Sequence, residues 1–217
     1  MELLQPQLDA TTTYFLDNLP QEANDIFQNV LDKAIANHIA DNVPKEGDRL
    51  PNFQLPTATG DIFHLDEQLE KGPIVLAFYR GSWCPYCNLM LKTFQAILPE
   101  IHQLGAQLVA ISPEFPEKAQ ATMTDNGYEF EVLTDKDNGL AEQLGLLFHQ
   151  DEAAVATMKS LGFDLEAYYG KGKGFVIPVP ATFVIEGNGK IAMTYANPNY
   201  RFRAEPTQVI EVLRGLV

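Results

Sequence analysis

Basic residues are scarce in this chain of 217 residues: 15 Lys and Arg stand against 29 Asp and Glu, a formal net charge of −14. With no basic run, the sequence lacks the patches on which affinity for nucleic acid or an anionic membrane rests. No apolar stretch approaches the ~20 residues that cross a bilayer, the longest running from Pro73 to Tyr79. The amino terminus carries Glu2 in place of a basic start and has no uninterrupted apolar core. It does not read as a secretory signal, so a cytoplasmic, reducing compartment is expected. Cysteine occurs twice, too few for a disulfide framework. In a reducing compartment a close pair is more often catalytic or metal-binding than structural. His38, His64, His102 and His149 are scattered singly, which leaves no four-ligand set for structural zinc; neither a metal nor a cofactor is expected.

Both cysteines fall in one tetrapeptide, Cys84-Pro85-Tyr86-Cys87. Its surroundings read as an α/β unit. Ile74 to Tyr79 is a short apolar run bounded by Gly72-Pro73 and Gly81, the pattern of a strand covered on both faces. Leu89, Leu91, Phe94, Ile97, Leu98 and Ile101 follow at helical spacing, and Leu108 to Ile111 is a second buried strand. The order strand, Cys-x-x-Cys, helix, strand predicts parallel strands joined by a right-handed crossover. Further on, helices are expected over about 117–125, 139–144 and 152–161, with a short strand at 131–133 and a glycine-rich loop at 170–174. A hairpin is expected from Ala181 to Tyr195 with Asn188-Gly189 at its tip, then a closing helix over 205–216. Residues 1–44 form a helical extension, in which Ile26, Val30, Leu31 and Ala34 mark one amphipathic helix over 21–39. Its apolar face must be covered either by the main domain, residues 45–217, or by a second copy in a homodimer.

A cysteine just beyond a strand and in the first turn of a helix meets unpaired backbone N–H groups and the positive end of the helix dipole. Such settings favour thiolate over thiol, and a pKa drop of about two units corresponds to about 2.7 kcal/mol. Cys84 is therefore expected as the nucleophile, with Arg80 at the strand end as a source of charge or hydrogen bonds. Cys87, one helical turn on, lies within disulfide reach. Attack on an oxidised substrate by Cys84 is then resolved by Cys87, a two-electron redox device. Trp83 reads as a residue at the rim of this site. The Val179-Pro180 bond ahead of the hairpin is expected to form a constrained, cis turn.

The order strand, Trp-Cys-x-x-Cys, helix, strand, then Val-Pro before an antiparallel hairpin and a final helix resembles the thioredoxin fold. Longer stretches resemble the peroxiredoxin family in its broad sense, alkyl hydroperoxide reductase C and thiol-specific antioxidant: Gly47 to Pro56, Phe78 to Cys87, Ala110 to Glu114, Val132 to Asp135 and Pro180 to Ile185. The likeness covers about residues 45 to 214. It implies a mixed β-sheet flanked by helices and a thiol peroxidase. In such an enzyme Cys84 attacks the O–O bond of hydrogen peroxide or an organic hydroperoxide, and Cys87 condenses with the resulting sulfenic acid. Thioredoxin, or glutaredoxin with glutathione, is the implied reductant. The family pattern Pro-x-x-x-Thr/Ser-x-x-Cys is broken here by Ala77 and Gly81. Ser82 is then the nearest substitute hydroxyl, and Arg80 or Arg203 the candidate guanidinium for the leaving oxygen. Tyr79, Trp83, Val179 and Pro180 are the candidate substrate-binding residues.

Cys-Pro-Tyr-Cys with Val-Pro also resembles glutaredoxin, which leaves two other readings: a protein disulfide oxidoreductase without peroxidase activity, and a non-catalytic redox sensor. The long stretch between Cys87 and Pro180 favours the peroxiredoxin-like reading, because the small reductases have no need of it.

Overall fold

A computed structural model describes residues 3–216. The chain opens with two helices, α1 (Leu4–Asn18) and α2 (Gln21–Ala36). α2 corresponds to the amphipathic stretch expected over 21–39 and stops short of it, where His38 and Ala40 adopt positive φ. It packs against a helix later in the same chain, α7 below, while Ile35 on the same helix is exposed. α1 goes beyond the sequence pattern. Pro6 and the consecutive Thr11, Thr12 and Thr13 give it weak helical propensity. Tertiary contacts hold it instead: Leu4 and Leu8 are fully buried, and the Leu4 and Gln5 N–H groups donate to the Glu205 carboxylate at 2.8 and 2.7 Å. These are two of the donors that a helix amino terminus leaves without intrahelical partners.

A small antiparallel pair, β1 (Gln54–Pro56) and β2 (Ile62–His64), leads through α3 (Leu65–Leu69) to β3 (Ile74–Phe78). β3 is buried along its whole length, as a strand with both faces covered must be. α4 (Pro85–Gln103) carries the chain over to β4 (Gln107–Ser112), which runs parallel to β3 with Ala77 beside Ala110. α5 (Pro116–Asn126) leads to β5 (Glu131–Thr134), parallel to β4. A segment then leaves the sheet: α6 (Gly139–Gln143), β6 (Leu147–His149), α7 (Glu152–Ser160), α8 (Glu166–Tyr169) and β7 (Val176–Pro178), with β6 and β7 paired antiparallel. The chain returns through β8 (Ala181–Ile185), antiparallel to β3, and β9 (Ile191–Ala196), and closes on α9 (Pro206–Arg214). The central sheet has the order β5-β4-β3-β8-β9.

Phe78 and Phe183 are diagonal neighbours across β3 and β8, with ring centroids 6.0 Å apart and planes at 80°, an edge-to-face pair worth about 0.5–1.5 kcal/mol beyond its buried area. One expectation is corrected here. The Val179–Pro180 bond is trans, and no cis peptide occurs among the described residues. The Val179 N–H donates to the Leu146 carbonyl at 2.6 Å, which keeps this segment in the extended conformation that the residue before a proline prefers.

Candidate active site

The site begins where β3 ends. Tyr79 continues the pairing with β4 by donating its N–H to the Ile111 carbonyl, and the chain then turns sharply into α4. Gly81 makes that turn possible, with φ at 148°. A Cβ at this position would lie 2.5 Å from Trp83 Nε1 and 3.1 Å from a Glu114 carboxylate oxygen. The Thr or Ser of the family pattern therefore has no room at position 81. Cys84 is the N-cap residue of α4, with its carbonyl accepting from the Cys87 and Asn88 N–H groups at 3.0 Å each, and Pro85 fills the first helical position, where no N–H is needed.

Both sulfurs are fully buried. Arg80 Nη2 donates to Cys84 Sγ at 3.2 Å and Arg203 Nη2 to Cys87 Sγ at 3.6 Å. Burial by itself pushes the Cys84 pKa up. The hydrogen bond from Cys87 and the positive charges of Arg80 and Arg203 outweigh it and hold the thiol well below its ordinary range. Burial pushes Cys87 well above that range, and the charge and hydrogen-bonding demand of Cys84 add to it. The surroundings thus favour the thiolate on Cys84 and the thiol on Cys87. Among the described residues neither Arg80 nor Arg203 has a carboxylate within ion-pair distance. Their partners are the two sulfurs, Cys84 for Arg80 and Cys87 for Arg203.

The remaining predicted residues divide. Arg80 and Trp83 stand beside the sulfur: the Arg80 guanidinium carbon lies 5.2 Å from the Trp83 ring centroid and 4.0 Å from that of Tyr200, contacts in the cation–π range. Ser82 is turned to a structural partner, its N–H and hydroxyl both donating to one oxygen of buried Glu114 at 2.8 and 2.7 Å. Arg203 donates to the Tyr200 and Phe202 carbonyls as well as to Cys87 and makes no pair with Glu205. Tyr79, Val179 and Pro180 are buried, and none of them lines the cavity bounded by Arg80, Trp83 and Tyr86.

Four residues gain roles that spacing did not reveal. Glu114 anchors the turn through Ser82. Tyr169 accepts from Trp83 Nε1 at 2.6 Å and donates to the Arg80 carbonyl. Tyr200 stacks under Arg80, and Tyr86 joins the site to the helical extension through Thr12, with hydroxyl oxygens 3.2 Å apart. Tyr86 and Glu114 lie in the quoted sequence stretches. Tyr169 and Tyr200 come from distant segments with no motif of their own.

A sheet of order β5-β4-β3-β8-β9 with a Cys-x-x-Cys at the β3–α4 junction defines a thioredoxin-fold protein with a dithiol site. Residues 47–194 match the model of the AhpC/TSA family, and the chain belongs to that family. Over 103 residues it is 31% identical to a protein of Mycobacterium tuberculosis H37Rv named for the peroxiredoxins, a match covering 47% of this chain and 66% of that protein. The chain thus spans just under two thirds of that relative. It is 27% identical over 105 residues to peroxiredoxin Bcp of Escherichia coli K12, covering 48% of this chain and 67% of that one. Among solved structures it resembles the peroxidoxin BcpB of M. tuberculosis, with a TM-score of 0.61 at 22% identity over 80% of this chain and 98% of the other. Peroxiredoxin Q of Xanthomonas campestris gives 0.56 at 18% identity, over 76% and 89%. These likenesses support the fold; among the described residues no helix is long and apolar enough to cross a membrane.

Proposed function

We propose that the protein is a thiol peroxidase in which Cys84 is the peroxidatic residue and Cys87 the resolving one. The observation that carries this reading is the buried Cys84 sulfur with the Arg80 guanidinium at 3.2 Å and, among the described residues, no carboxylate paired with that guanidinium. The thiolate attacks one oxygen of the hydroperoxide, an S–O bond forms as the O–O bond breaks, and the alkoxide or hydroxide leaves and takes up a proton. The guanidiniums of Arg80 and Arg203 offset the negative charge that moves from sulfur to the leaving oxygen. The Cys87 thiol then condenses with the Cys84 sulfenic acid, which releases water and leaves an intramolecular disulfide. Two electrons from an external dithiol, thioredoxin or glutaredoxin with glutathione, restore the pair by thiol–disulfide exchange.

The match of residues 47–194 to the AhpC/TSA family favours the peroxidase over a protein disulfide reductase. Peroxide consumption coupled to a dithiol reductant, followed by mass spectrometry of the two cysteines, tests the assignment. Cys84→Ser is expected to abolish turnover, and Cys87→Ser to consume one equivalent of peroxide and stop at sulfenic acid when only a protein dithiol is supplied. Undiminished turnover in Cys84→Ser overturns the reading.

A further inference from the structure

Two buried guanidiniums stand at the redox pair, and among the described residues neither rests on a carboxylate that would aim it. Arg80 donates one side-chain hydrogen bond, to Cys84 Sγ, and its Nε–H is buried without a partner. One bond to one sulfur fixes the end of the side chain and leaves the guanidinium plane free to swing about it. A carboxylate would remove that freedom through a two-pronged contact; here an aromatic face takes its place. The Arg80 guanidinium carbon lies 4.0 Å from the centroid of the Tyr200 ring, closer than its 5.2 Å to that of Trp83. Tyr200 also reaches the second guanidinium, through its backbone. Arg203, whose Nη2 contacts Cys87 Sγ, donates from Nη1 to the Tyr200 carbonyl.

Tyr200 is itself held. It lies in the irregular turn between β9 and α9, which two asparagine side chains stitch together: Asn197 accepts from the Asn199 N–H at 2.9 Å and Asn199 from the Arg201 N–H at 3.1 Å. The Tyr86 ring, from within the Cys-x-x-Cys, meets the Tyr200 ring edge to face, with centroids 5.4 Å apart and planes at 75°. The helical extension braces the same turn. Gln5 donates to the Arg201 carbonyl at 3.3 Å, and Gln28 accepts from the Arg201 guanidinium at 3.0 Å. We propose that Tyr200 is a positioning residue for the peroxidase step, its ring face holding Arg80 on Cys84 and its carbonyl holding Arg203 on Cys87. This role rests on the peroxidase reading. Tyr200 acts through the two guanidiniums, whose placement sets how much positive charge faces the attacking sulfur and the leaving oxygen.

The test varies the charge on the ring face and keeps the shape of the ring, reading the Cys84 thiolate of the reduced protein by its ultraviolet absorbance across pH. Tyr200→Phe keeps both the face and the carbonyl, and its thiolate-to-thiol ratio is expected within about twofold of wild type. Phenylalanines bearing one, two and three ring fluorines at position 200 withdraw charge from the face at nearly constant volume. Each added fluorine is expected to move the titration further toward the ordinary thiol range. Tyr200→Leu, which has no face, is expected to lower the ratio at fixed pH by about threefold to tenfold. In an Arg80→Met background the fluorinated series is expected to move nothing, since the charge it acts on is gone. The acid limb of the rate with hydrogen peroxide is expected to follow the titration in every variant. A ring that only fills space responds to Tyr200→Leu and not to fluorination, so a titration that stays in place across the fluorinated series overturns the positioning role and leaves the peroxidase reading standing. A shift of equal size in the Arg80→Met background overturns it too. Absence of peroxide turnover from the wild-type protein overturns the peroxidase reading itself, whatever the titration shows.

Discussion

Replacing Arg80 with methionine removes one buried charge while keeping an apolar stem of similar length against Tyr200 and Trp83. At the observed 3.2 Å, a unit positive charge stabilises a thiolate by about 5 kcal/mol with an effective dielectric constant of about 20. The guanidinium charge is spread over three nitrogens and Arg203 remains in place, so about half of that, about 2.5 kcal/mol, is the expected loss. It corresponds to a fall of about 70-fold in the thiolate-to-thiol ratio at fixed pH. The ultraviolet absorbance of the thiolate reads this directly and without access to the sealed sulfur. The chain has two cysteines and the Cys87 pKa is raised, so the signal at neutral pH belongs to Cys84. Wild-type protein is expected to show one thiolate per chain at neutrality, Arg80→Met a titration curve moved toward the ordinary thiol range by that 70-fold change in ratio, and Arg80→Lys a curve close to the wild-type one. A titration curve that Arg80→Met leaves in place refutes the electrostatic account of the site.

The same thiolate fixes a pH dependence. Because the Cys84 pKa is lowered in the folded chain, the second-order rate with peroxide is expected to be level through neutrality and to fall only on the acid side, well below the ordinary thiol value of about 8.5. The stability that the thiolate contributes is present above that unfolded value and is lost as the pH falls through the folded one; a rate midpoint near the ordinary value contradicts this. Gly81→Thr, which restores the hydroxyl of the family pattern, is expected to damage the site, because the residue takes φ 148° and its Cβ meets Trp83 at 2.5 Å. The left-handed backbone alone costs about 1–3 kcal/mol, which chemical denaturation will read, and a gain in peroxidase rate would contradict the fit. Glu114→Ala strips two hydrogen bonds from Ser82 and is expected to cost about 2–4 kcal/mol, or a fall of about 4–16 °C in Tm for a chain of this size. An unchanged Tm would mean that the turn is held by other contacts.

Much of the central unit was legible in the sequence because its signals are local. The apolar run of Ile74 to Phe78, the helical spacing after Cys87 and the Asn-Gly turn of the last hairpin each dictate one element with little help from the rest of the chain. α1 was not legible, since its threonines and Pro6 disfavour helix and it folds by setting Leu4 and Leu8 into the core and its first N–H groups on Glu205, some 200 residues away. β1, β2, β6 and β7 are three residues each, too short for a period to register. In the site, Cys84, Cys87 and Arg80 follow from spacing along one strand and helix. Tyr200 under Arg80, Tyr169 under Trp83 and the cavity between α2 and α7 arise only when distant segments meet, which is also why Ser82 reads as a candidate hydroxyl in sequence and is found committed to Glu114.

Trp83, the single tryptophan of the chain, adjoins Cys84 and stands over Arg80, so its fluorescence reports the sulfur's oxidation state. Stopped-flow mixing of reduced protein with a hydroperoxide is predicted to give a phase whose rate rises linearly with peroxide, followed by a peroxide-independent phase that vanishes in Cys87→Ser, with both phases absent in Cys84→Ser. A peroxide-dependent phase that survives in Cys84→Ser, or its absence from the wild-type protein, would contradict the assignment of Cys84 as the attacking thiolate.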